Sequence, residues 1–560
     1  MRDWLIHPRH ENTDSIAGKL GIHPVVAGIL LRRGLQDAEE IRRFLNPSLE
    51  TLEDPSAFSD MEKAVALIRE TIQKKGKILV YGDYDVDGVT AAAILHPVLR
   101  SLGADAEAHL PHRIREGYGL NKASLEEWVK RGLSMVITVD NGITSPDAVR
   151  YLKENGIAVI LVDHHLPKGE TPIADAIISG GLPEKPGGDT TLAACGLAFK
   201  LGWALLGDFK KMEPYMDLVT LGTVADLAPV EAENRVLLRS GLPALARSKR
   251  PGIRALMNAA GIHPAYLTYR DIAFGLGPRI NAAGRMGSPQ EAFRLLTTEN
   301  ETEARNLAQL LEAGNRERQK VEAEAYREAV AYVEKKTAPE ERHILVVEGE
   351  DWHEGVLGIV AARLVERYHR PAIAIAMRTE SGKGSGRSLP HFSLFQHVVQ
   401  VEELLESFGG HAQACGLTVR RDKLALFRKR LNEIARSTFE AEGAAPSLYI
   451  DEELRPGDLD ARLVNDLEKL APFGPGNPRP LFVSRGMRVR GDVKKRGKDT
   501  LQCWMTDTEG KVTCEVIGFR AYERWQAQAR TQREFDIVYQ PTMKNANGIG
   551  FITLELEAWM

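Results

Sequence analysis

The sequence predicts a multidomain α/β protein: a parallel-sheet domain and a smaller α/β domain joined by a long helix, then a small C-terminal β-barrel. Three observations carry this. Between residues 61 and 300 short, continuously apolar runs such as "KGKILVYG", "LSMVITVDNG", "GIAVILVDHH" and "IADAIISGG" alternate with helical text. Strands apolar on both faces belong to a parallel sheet covered by helices on each side. Residues 302–336 are dense in charge, with Leu307, Leu310, Leu311, Val321, Ala325, Ala329, Val330 and Val333 as apolar positions and Gly314 as the one break. From about 446 the text changes to strict apolar–polar alternation with turn signals, the mark of a small barrel or sandwich. At 560 residues the chain is also too long for a single core.

In chain order, residues 1–60 read as a helical lead-in with the polar exit "NPSLETLEDPSAF". Residues 61–300 form the parallel-sheet domain, its last third helical and broken by "FGLGPRINAAGRMGSP". Residues 301–340 are the long, half-exposed helix, a shape that more often bridges two domains than closes one. Residues 341–440 restart the α/β pattern with "HILVVEG", "GVLGIVAARLVERY" and "PAIAIAM", and "GKGSGRS" reads there as a Gly-rich loop. Residues 446–560 are the barrel.

Composition bounds the function. With 43% hydrophobic and 27% charged residues the chain has the make-up of a soluble globular protein. It has no apolar run of about 18 residues, and its start lacks the basic-then-apolar layout of a signal peptide. Cys195, Cys415, Cys503 and Cys514 form no CxxC pair, so they read as reduced thiols of a cytoplasmic protein. The net charge of −4 means that any surface for nucleic acid has to be a local patch.

The chemistry gathers around "GDYDVDG", residues 82–88, where Asp83, Asp85 and Asp87 alternate. A calcium EF-hand would need a bidentate Glu at the twelfth position, which is Ile94, and a helix before the loop, where a strand is expected. A surface turn that binds nothing is the plain alternative. Its neighbours decide against it. The next strand ends in Asp140, and the one after it in Asp163, His164 and His165, with Asp226 in "VTLGTVADLAP" able to close the group. Groups just past the carboxyl ends of adjacent parallel strands share one crevice. So many carboxylates together need a cation, and carboxylate mixed with imidazole suits Mn²⁺ or Mg²⁺.

"DYDVDG", "VDNG", "VDHH" and "TVADLAP" resemble the four motifs of the DHH phosphoesterase superfamily, and "GSGRS" and "GGHAQACG" resemble its accessory domain. With "LGPRINAAGRM", "WHEGVLGIVA" and "APFGPGNPRPLF", nearly the whole chain resembles the RecJ single-stranded-DNA exonucleases. The resemblance implies a DHH domain, a connecting helix, a DHHA1 domain and a C-terminal OB-fold. It implies two Mn²⁺ or Mg²⁺ ions held by Asp85, Asp87, Asp140, His164 and Asp226, with Asp83 bound directly or through water. Asp140, Asp85 and Asp87 then serve catalysis together with His165, which faces the substrate phosphate; a packed histidine is the alternative for that residue.

Candidates for holding DNA lie outside the metals. Arg113, with Arg115 nearby, follows a strand and matches an arginine near the 5′-phosphate; Ser385, Arg387 and His411 would join it. Arg279, Asn281, Arg285, Asn315, Arg316 and Arg318 either track the sugar-phosphate chain or cap and pair locally. In 485–498 seven basic residues face one acidic residue. As a solvated hairpin they mean nothing; in a barrel groove Arg488, Lys494, Lys495 and Arg496 contact a single strand. Trp504 and Phe519 are either base-stacking or core.

The expected function is a metal-dependent 5′→3′ exonuclease that hydrolyses single-stranded DNA to 5′-mononucleotides in DNA repair and recombination. Its rivals are a phosphodiesterase for short oligonucleotides or cyclic dinucleotides, and a catalytically silent single-strand-binding subunit. Single-stranded DNA is the expected partner, with a helicase and a single-strand-binding protein preparing it and monomer as the default state. No membrane is expected.

Overall fold

The computed structural model describes the chain apart from residues 1–3, 114–115, 118, 168, 183, 186, 339–340, 443–447, 529–531 and 547–548. Five apolar runs form one parallel sheet: Lys77–Gly82 (β1), Asp105–His109 (β2), Leu133–Val139 (β3), Ala158–Val162 (β4) and Ala176–Ile178 (β5). Their order is β2-β1-β3-β4-β5, so the direction of winding reverses between β1 and β3. Such a reversal opens a crevice at the carboxyl ends of the strands. Gly82 pairs beside Val139, and Val139 beside Val162. Asp83, Asp140 and Asp163 therefore leave the sheet at one level.

Helix α1 (Val86–Ser101) starts on the Asp85 side chain, which accepts the N–H groups of Asp87 (3.0 Å) and Gly88 (3.3 Å). A Cβ at Gly88 would lie 2.4 Å from the Asp83 nitrogen, so only glycine lets the helix start this close to β1. Two apolar helices, α2 (Ala194–Leu206) and α3 (Met216–Ala225), pack on α1. Helix α4 (Gly277–Met286) follows, then α5 (Glu301–Lys336), which runs unbroken through Gly314. Its 36 residues span about 54 Å. The first half of α5 packs on α4 and on Pro251–Ala260, and its second half on the sheet that follows.

That sheet consists of Leu345–Gly349 (β6), Ala372–Met377 (β7), Ser381–Arg387 (β8), Leu405–His411 (β9) and Ala414–Arg420 (β10), in the order β9-β10-β8-β7-β6. Helix α6 (Leu357–Tyr368) covers β7 and β8. The Gly-rich "GKGSGRS" is thus not a loop but the central strand β8, laddered to β7 and β10. Its glycines alternate and face large neighbours. A Cβ at Gly382, Gly384 or Gly386 would lie 2.4 Å from Met377 Sδ, 2.9 Å from Leu417 Cδ1 or 2.6 Å from Cys415 Sγ. The missing side chains are packing space, and β8 gives its backbone to the ladder instead of to a phosphate.

Residues Met1–Leu52, Pro229–Arg239 and Ala445–Met560 make a second compact unit. Phe482–Arg496 (β11), Thr500–Thr506 (β12), Thr513–Gly518 (β13), Glu534–Ala546 (β14) and Ile549–Trp559 (β15) run in the order β11-β12-β13-β15-β14, and β11 pairs with β14 to close a barrel. One of its pairings, β13 with β15, is parallel. Residues 1–60, set apart by the sequence reading, divide here. Val26, Leu30 and Ile41 of the N-terminal helices share one core with Leu463, Leu467 and Trp525. Trp4–Ile6 pairs in parallel with Leu448–Ile450. All four cysteines are free and buried, and among the described residues no single helix is long and apolar enough to cross a membrane.

Candidate active site

The carboxyl edge of the first sheet gathers the predicted ligands. Asp83, Asp87 and Asp140 are almost wholly buried. Asp140 takes the left-handed conformation (φ 65°), which turns the chain just after β3 while its N–H still donates to the Val162 carbonyl at 3.0 Å. Oxygens of Asp83, Asp85 and Asp140 lie within 4.8 Å of one another, as do atoms of Asp87, His164 and Asp226. These two sets share no residue. His164 connects them: its Nε2 is 3.3 Å from Asp140, 3.8 Å from Asp87 and 3.9 Å from Asp226.

The electrostatics of this cluster are adverse without a cation. Burial, then the charge of Asp85, pushes the Asp83 carboxyl well above its ordinary range. Burial, then Asp85 and Asp87, does the same to Asp140. Asp226 is pushed up to about 9 by burial, then by Asp87 and Asp85. Oδ1 of Asp83, Oδ1 of Asp140 and Nε2 of His164 have no hydrogen-bond partner among the described residues, because the 3.3 Å approach of the last two lacks hydrogen-bond alignment. Buried polar atoms are almost always paired. Oxygen-rich sets with one imidazole nitrogen fit hard divalent cations such as Mn²⁺ and Mg²⁺.

Supporting groups hold the ligands in place. Asp87 accepts the N–H groups of Ala194 (2.7 Å) and Cys195 (2.8 Å) at the start of α2, where the helix dipole favours a negative charge. The buried Asp163 accepts from His165 Nδ1 (2.8 Å), from the His165 N–H (3.1 Å) and from the Ile143 N–H (3.1 Å). Burial alone would lower the His165 pKa; the bond to Asp163 and its charge override this and raise it to about 9. His165 thus has Nδ1 occupied by Asp163 and its ring oriented. Asn141, also buried, donates to the carbonyls of Tyr81 (3.2 Å) and Val139 (3.0 Å), joining β1 to β3. The sequence reading counted Asp163 among the rim carboxylates without its role as the partner of His165, and gave Asn141 no role. The motifs "VDHH" and "VDNG" hold both, but the cue is a partner distant in sequence.

Four of the predicted arginines come together, with Ser385 and Asn315 bonded to them. Arg113 lies over the Tyr84 ring at 5.2 Å; Arg115 falls outside the described residues. Arg285 donates to the Gly355 carbonyl at 3.0 Å, and burial, then the charge of Arg113, with Arg318 and Arg387 adding, lowers its pKa to about 10. Arg387 bonds to Ser385 Oγ at 3.3 Å, and its pKa is lowered by burial and then by Arg113. Arg318 reaches Asn315 Oδ1 (2.9 Å) and Glu322 (2.5 Å). Asn281 accepts the Val86 N–H at 3.2 Å, at the head of α1.

The others are dispersed. Arg279 and Arg316 both pair with Glu312 at 2.6 Å, the local pairing foreseen as their alternative. His411 is the exception: it ends β9 at an exposed hairpin, on the same rung of the sheet as Ala414 and Arg387. On the barrel Arg488 pairs with Glu534, Lys495 with Glu523 at 3.2 Å, and Arg496 with Gln502 at 2.7 Å. Lys494 stands opposite Gln502, and Arg490 opposite Trp504. Trp504 and Phe519 are exposed and not part of the core.

Comparison with known proteins gives the family of the chain. Profiles match for the DHH family, N-terminal domain, over residues 77–223, the DHHA1 domain over 341–437 and the RecJ OB domain over 450–558. The single-stranded-DNA-specific exonuclease RecJ of Haemophilus influenzae is 32% identical over 529 residues, 91% of each chain. That of Escherichia coli is 35% identical over 481 residues, 82% of this chain and 83% of the relative. The chain belongs to the RecJ family. The RecJ of Bacillus subtilis is longer: 35% identity extends over 93% of this chain but only 66% of that one. A crystal structure of RecJ from Thermus thermophilus in complex with Mn²⁺ superposes with a TM-score of 0.84 at 28% identity, covering 100% of this chain and 79% of that one. A second RecJ structure, bound to manganese, gives 0.59 at 34% identity, covering 68% and 95%. Manganese-bound RecJ thus shares the fold that assembles the two acidic sets here.

Proposed function

We propose that this chain is a metal-dependent exonuclease that degrades single-stranded DNA from its 5′ end and releases 5′-mononucleotides. The observation that carries the reading is the pair of ligand sets, Asp83–Asp85–Asp140 and Asp87–His164–Asp226, side by side in one buried crevice. When bound there, two Mn²⁺ or Mg²⁺ ions supply Lewis-acid stabilisation of the phosphate and a water acidic enough to attack at neutral pH. Asp140, in the first set and 3.3 Å from His164 of the second, would help to hold both ions. His165, oriented by Asp163, would offer its Nε2 to a non-bridging phosphate oxygen, where charge grows in the transition state. Arg113, Arg285, Arg318 and Arg387, with Ser385, hold a terminal 5′-phosphate. A pocket at a fixed distance from the metals would make each cut remove one nucleotide. On the barrel, Arg490 and Lys494 flank Trp504 and Gln502 across the β11–β12 ladder and carry the single strand by stacking and charge. We assign the enzyme to the cytoplasm as a monomer, supplied with single strands by a helicase and a single-strand-binding protein.

The test is a time course on 5′-labelled and 3′-labelled single strands with Mn²⁺, Mg²⁺ or EDTA, beside a duplex and an Asp140→Ala variant. Early release of the 5′ label as mononucleotide, absent in EDTA and in the variant, is expected. Tight binding without cleavage in either metal would replace this reading with a silent binding subunit. Cleavage restricted to di- or trinucleotides would point to an oligonucleotide phosphodiesterase.

A further inference from the structure

The chain between β2 and the helix Lys122–Lys130 is organised around one carboxylate, Glu116. Its Oε1 accepts the His112 N–H at 2.8 Å. Its Oε2 accepts from His109 Nε2 at 3.0 Å and from the Ser124 hydroxyl. The main chain of the same residue is engaged as well: its N–H donates to the His112 carbonyl at 2.8 Å, and its carbonyl accepts from Asn121 Nδ2 at 2.6 Å. Asn121 Oδ1 in turn accepts the Ala123 N–H at 2.8 Å and caps the helix. Glu116 therefore ties together the last residue of β2, the segment after it and the first turn of a helix.

This frame is anchored in the core. The His109 ring lies 5.2 Å from that of Tyr81, which is wholly buried in β1, and 6.1 Å from that of Trp128. The Tyr81 hydroxyl donates to the Gly119 carbonyl at 3.4 Å. Burial alone would raise the Glu116 pKa; the bonds from the His112 N–H, Ser124 and His109 override it and hold the carboxyl below its ordinary range. An ionised carboxylate accepts at both oxygens, so all three donors are matched.

Arg113 directly follows His112, whose N–H and carbonyl both end on Glu116. The Arg113 guanidinium lies 5.2 Å over the ring of Tyr84, the residue between the ligands Asp83 and Asp85. Its charge also reaches Arg285 and Arg387, whose pKa values are lowered by burial and then by Arg113. Among the described residues no carboxylate is bonded to Arg113, so its backbone and the Tyr84 ring set where its charge stands. We propose that Glu116 is a positioning residue: by fixing both backbone groups of His112 it places Arg113 where the 5′-phosphate of the strand arrives. The substrate in this inference rests on the exonuclease reading; the geometry rests on the hydrogen bonds of Glu116. With both oxygens engaged, Glu116 acts through Arg113.

The test uses oligothymidylates that carry a 5′-phosphate or a 5′-hydroxyl, in competition binding in EDTA and in cleavage in Mn²⁺. Glu116→Gln keeps the size of the side chain but turns an acceptor into an amide that faces donors. It is expected to reduce the wild-type preference for a 5′-phosphate roughly tenfold, the worth of one charge-assisted bond, through KM with kcat little changed. Ser124→Ala removes one of the three donors and should reduce the preference about threefold; it decides by the same measure if Glu116→Gln does not fold. Added to Arg113→Ala, Glu116→Gln should change the preference by less than about twofold, because the two residues act as a unit. An equal loss of affinity for both strands, or a preference that survives in Glu116→Gln, would overturn the proposal. A wild type that binds both strands alike would overturn it too. Failure of the wild type to cut in Mn²⁺ would refute the exonuclease reading, and the binding arm would still decide the role of Glu116.

Discussion

Replacing Asp140 with asparagine should make the metal-free protein more stable while destroying its activity. The change is nearly isosteric, and asparagine tolerates the left-handed backbone that Asp140 adopts. What it removes is one negative charge facing Asp83 and Asp85 within 4.8 Å. Two full charges at that separation repel by roughly 3 kcal/mol at an effective dielectric of about 20. Partial protonation already relieves much of this, so the expected net gain is about 1–3 kcal/mol, a rise in melting temperature of roughly 1–4 °C for a unit of this size. The sign with pH follows from burial and the neighbouring carboxylates, which raise the folded-state pKa of Asp140 above its unfolded value. The native wild type binds more protons and loses stability as pH climbs from about 4 through that raised value, so the advantage of the variant grows over this window. Thermal melts in EDTA at pH 5 and pH 8, repeated with saturating Mn²⁺, measure both effects. In Mn²⁺ the order should reverse, because the wild type gains about 2.7 kcal/mol at a hundredfold excess of metal over its dissociation constant and the variant gains little. A variant that melts at or below the wild type in EDTA at pH 8 would refute the reasoning, since Asp140 would then be holding the fold together.

Three further outcomes are expected. Asp163→Asn should lower kcat about 10–100-fold, as loss of a partner that orients a site residue does, with Mn²⁺-induced stabilisation kept; a rate within twofold of wild type would show that His165 needs no such partner. Gly358→Ala puts a Cβ 2.8 Å from Arg387 Nη2 and 3.2 Å from Ser385 Oγ. Losing one charge-assisted bond to the 5′-phosphate should raise KM roughly tenfold for 5′-phosphorylated strands, with kcat little changed, and equal effects on 5′-hydroxyl strands would argue against a phosphate pocket there. Gly314→Ala, where nothing lies within 4 Å of the added methyl, should stabilise the helix by about 0.5–1 kcal/mol in a denaturant melt.

Most of the candidate metal ligands are legible in the sequence because they follow an apolar run, and the geometry of a parallel sheet brings such ends to one edge. Asp226 is legible only as a late addition, since it follows a helix. Asp163, Tyr84 and the N–H groups at the start of α2 are not legible in their roles, because those roles are set by contacts between segments far apart in the chain. Strand β8 is hidden for another reason: glycine signals a turn in local terms, whereas Gly382, Gly384 and Gly386 serve packing against Met377, Leu417 and Cys415. The alternation of the barrel strands is visible, but its closure by β11 and β14, and its sharing of a core with Val26 and Leu30, are decided by tertiary packing. Basic residues fare worst. A run of arginines looks the same in sequence whether its members gather, as Arg113, Arg285 and Arg387 do, or pair off with carboxylates, as Arg279 and Arg488 do.

Helix α5 gives the catalytic region the mechanics of a caliper. Because its hydrogen bonds run uninterrupted from the α4 side to the β6 sheet, swinging one sheet away from the other would mean breaking backbone bonds in the middle of a helix. Of the clustered arginines, Arg113 and Arg285 belong to the side of the acidic crevice, and Arg387 on β8 is held across from them by this helix. On the exonuclease reading a reach fixed in this way would measure a strand by length alone, indifferent to which base it carries.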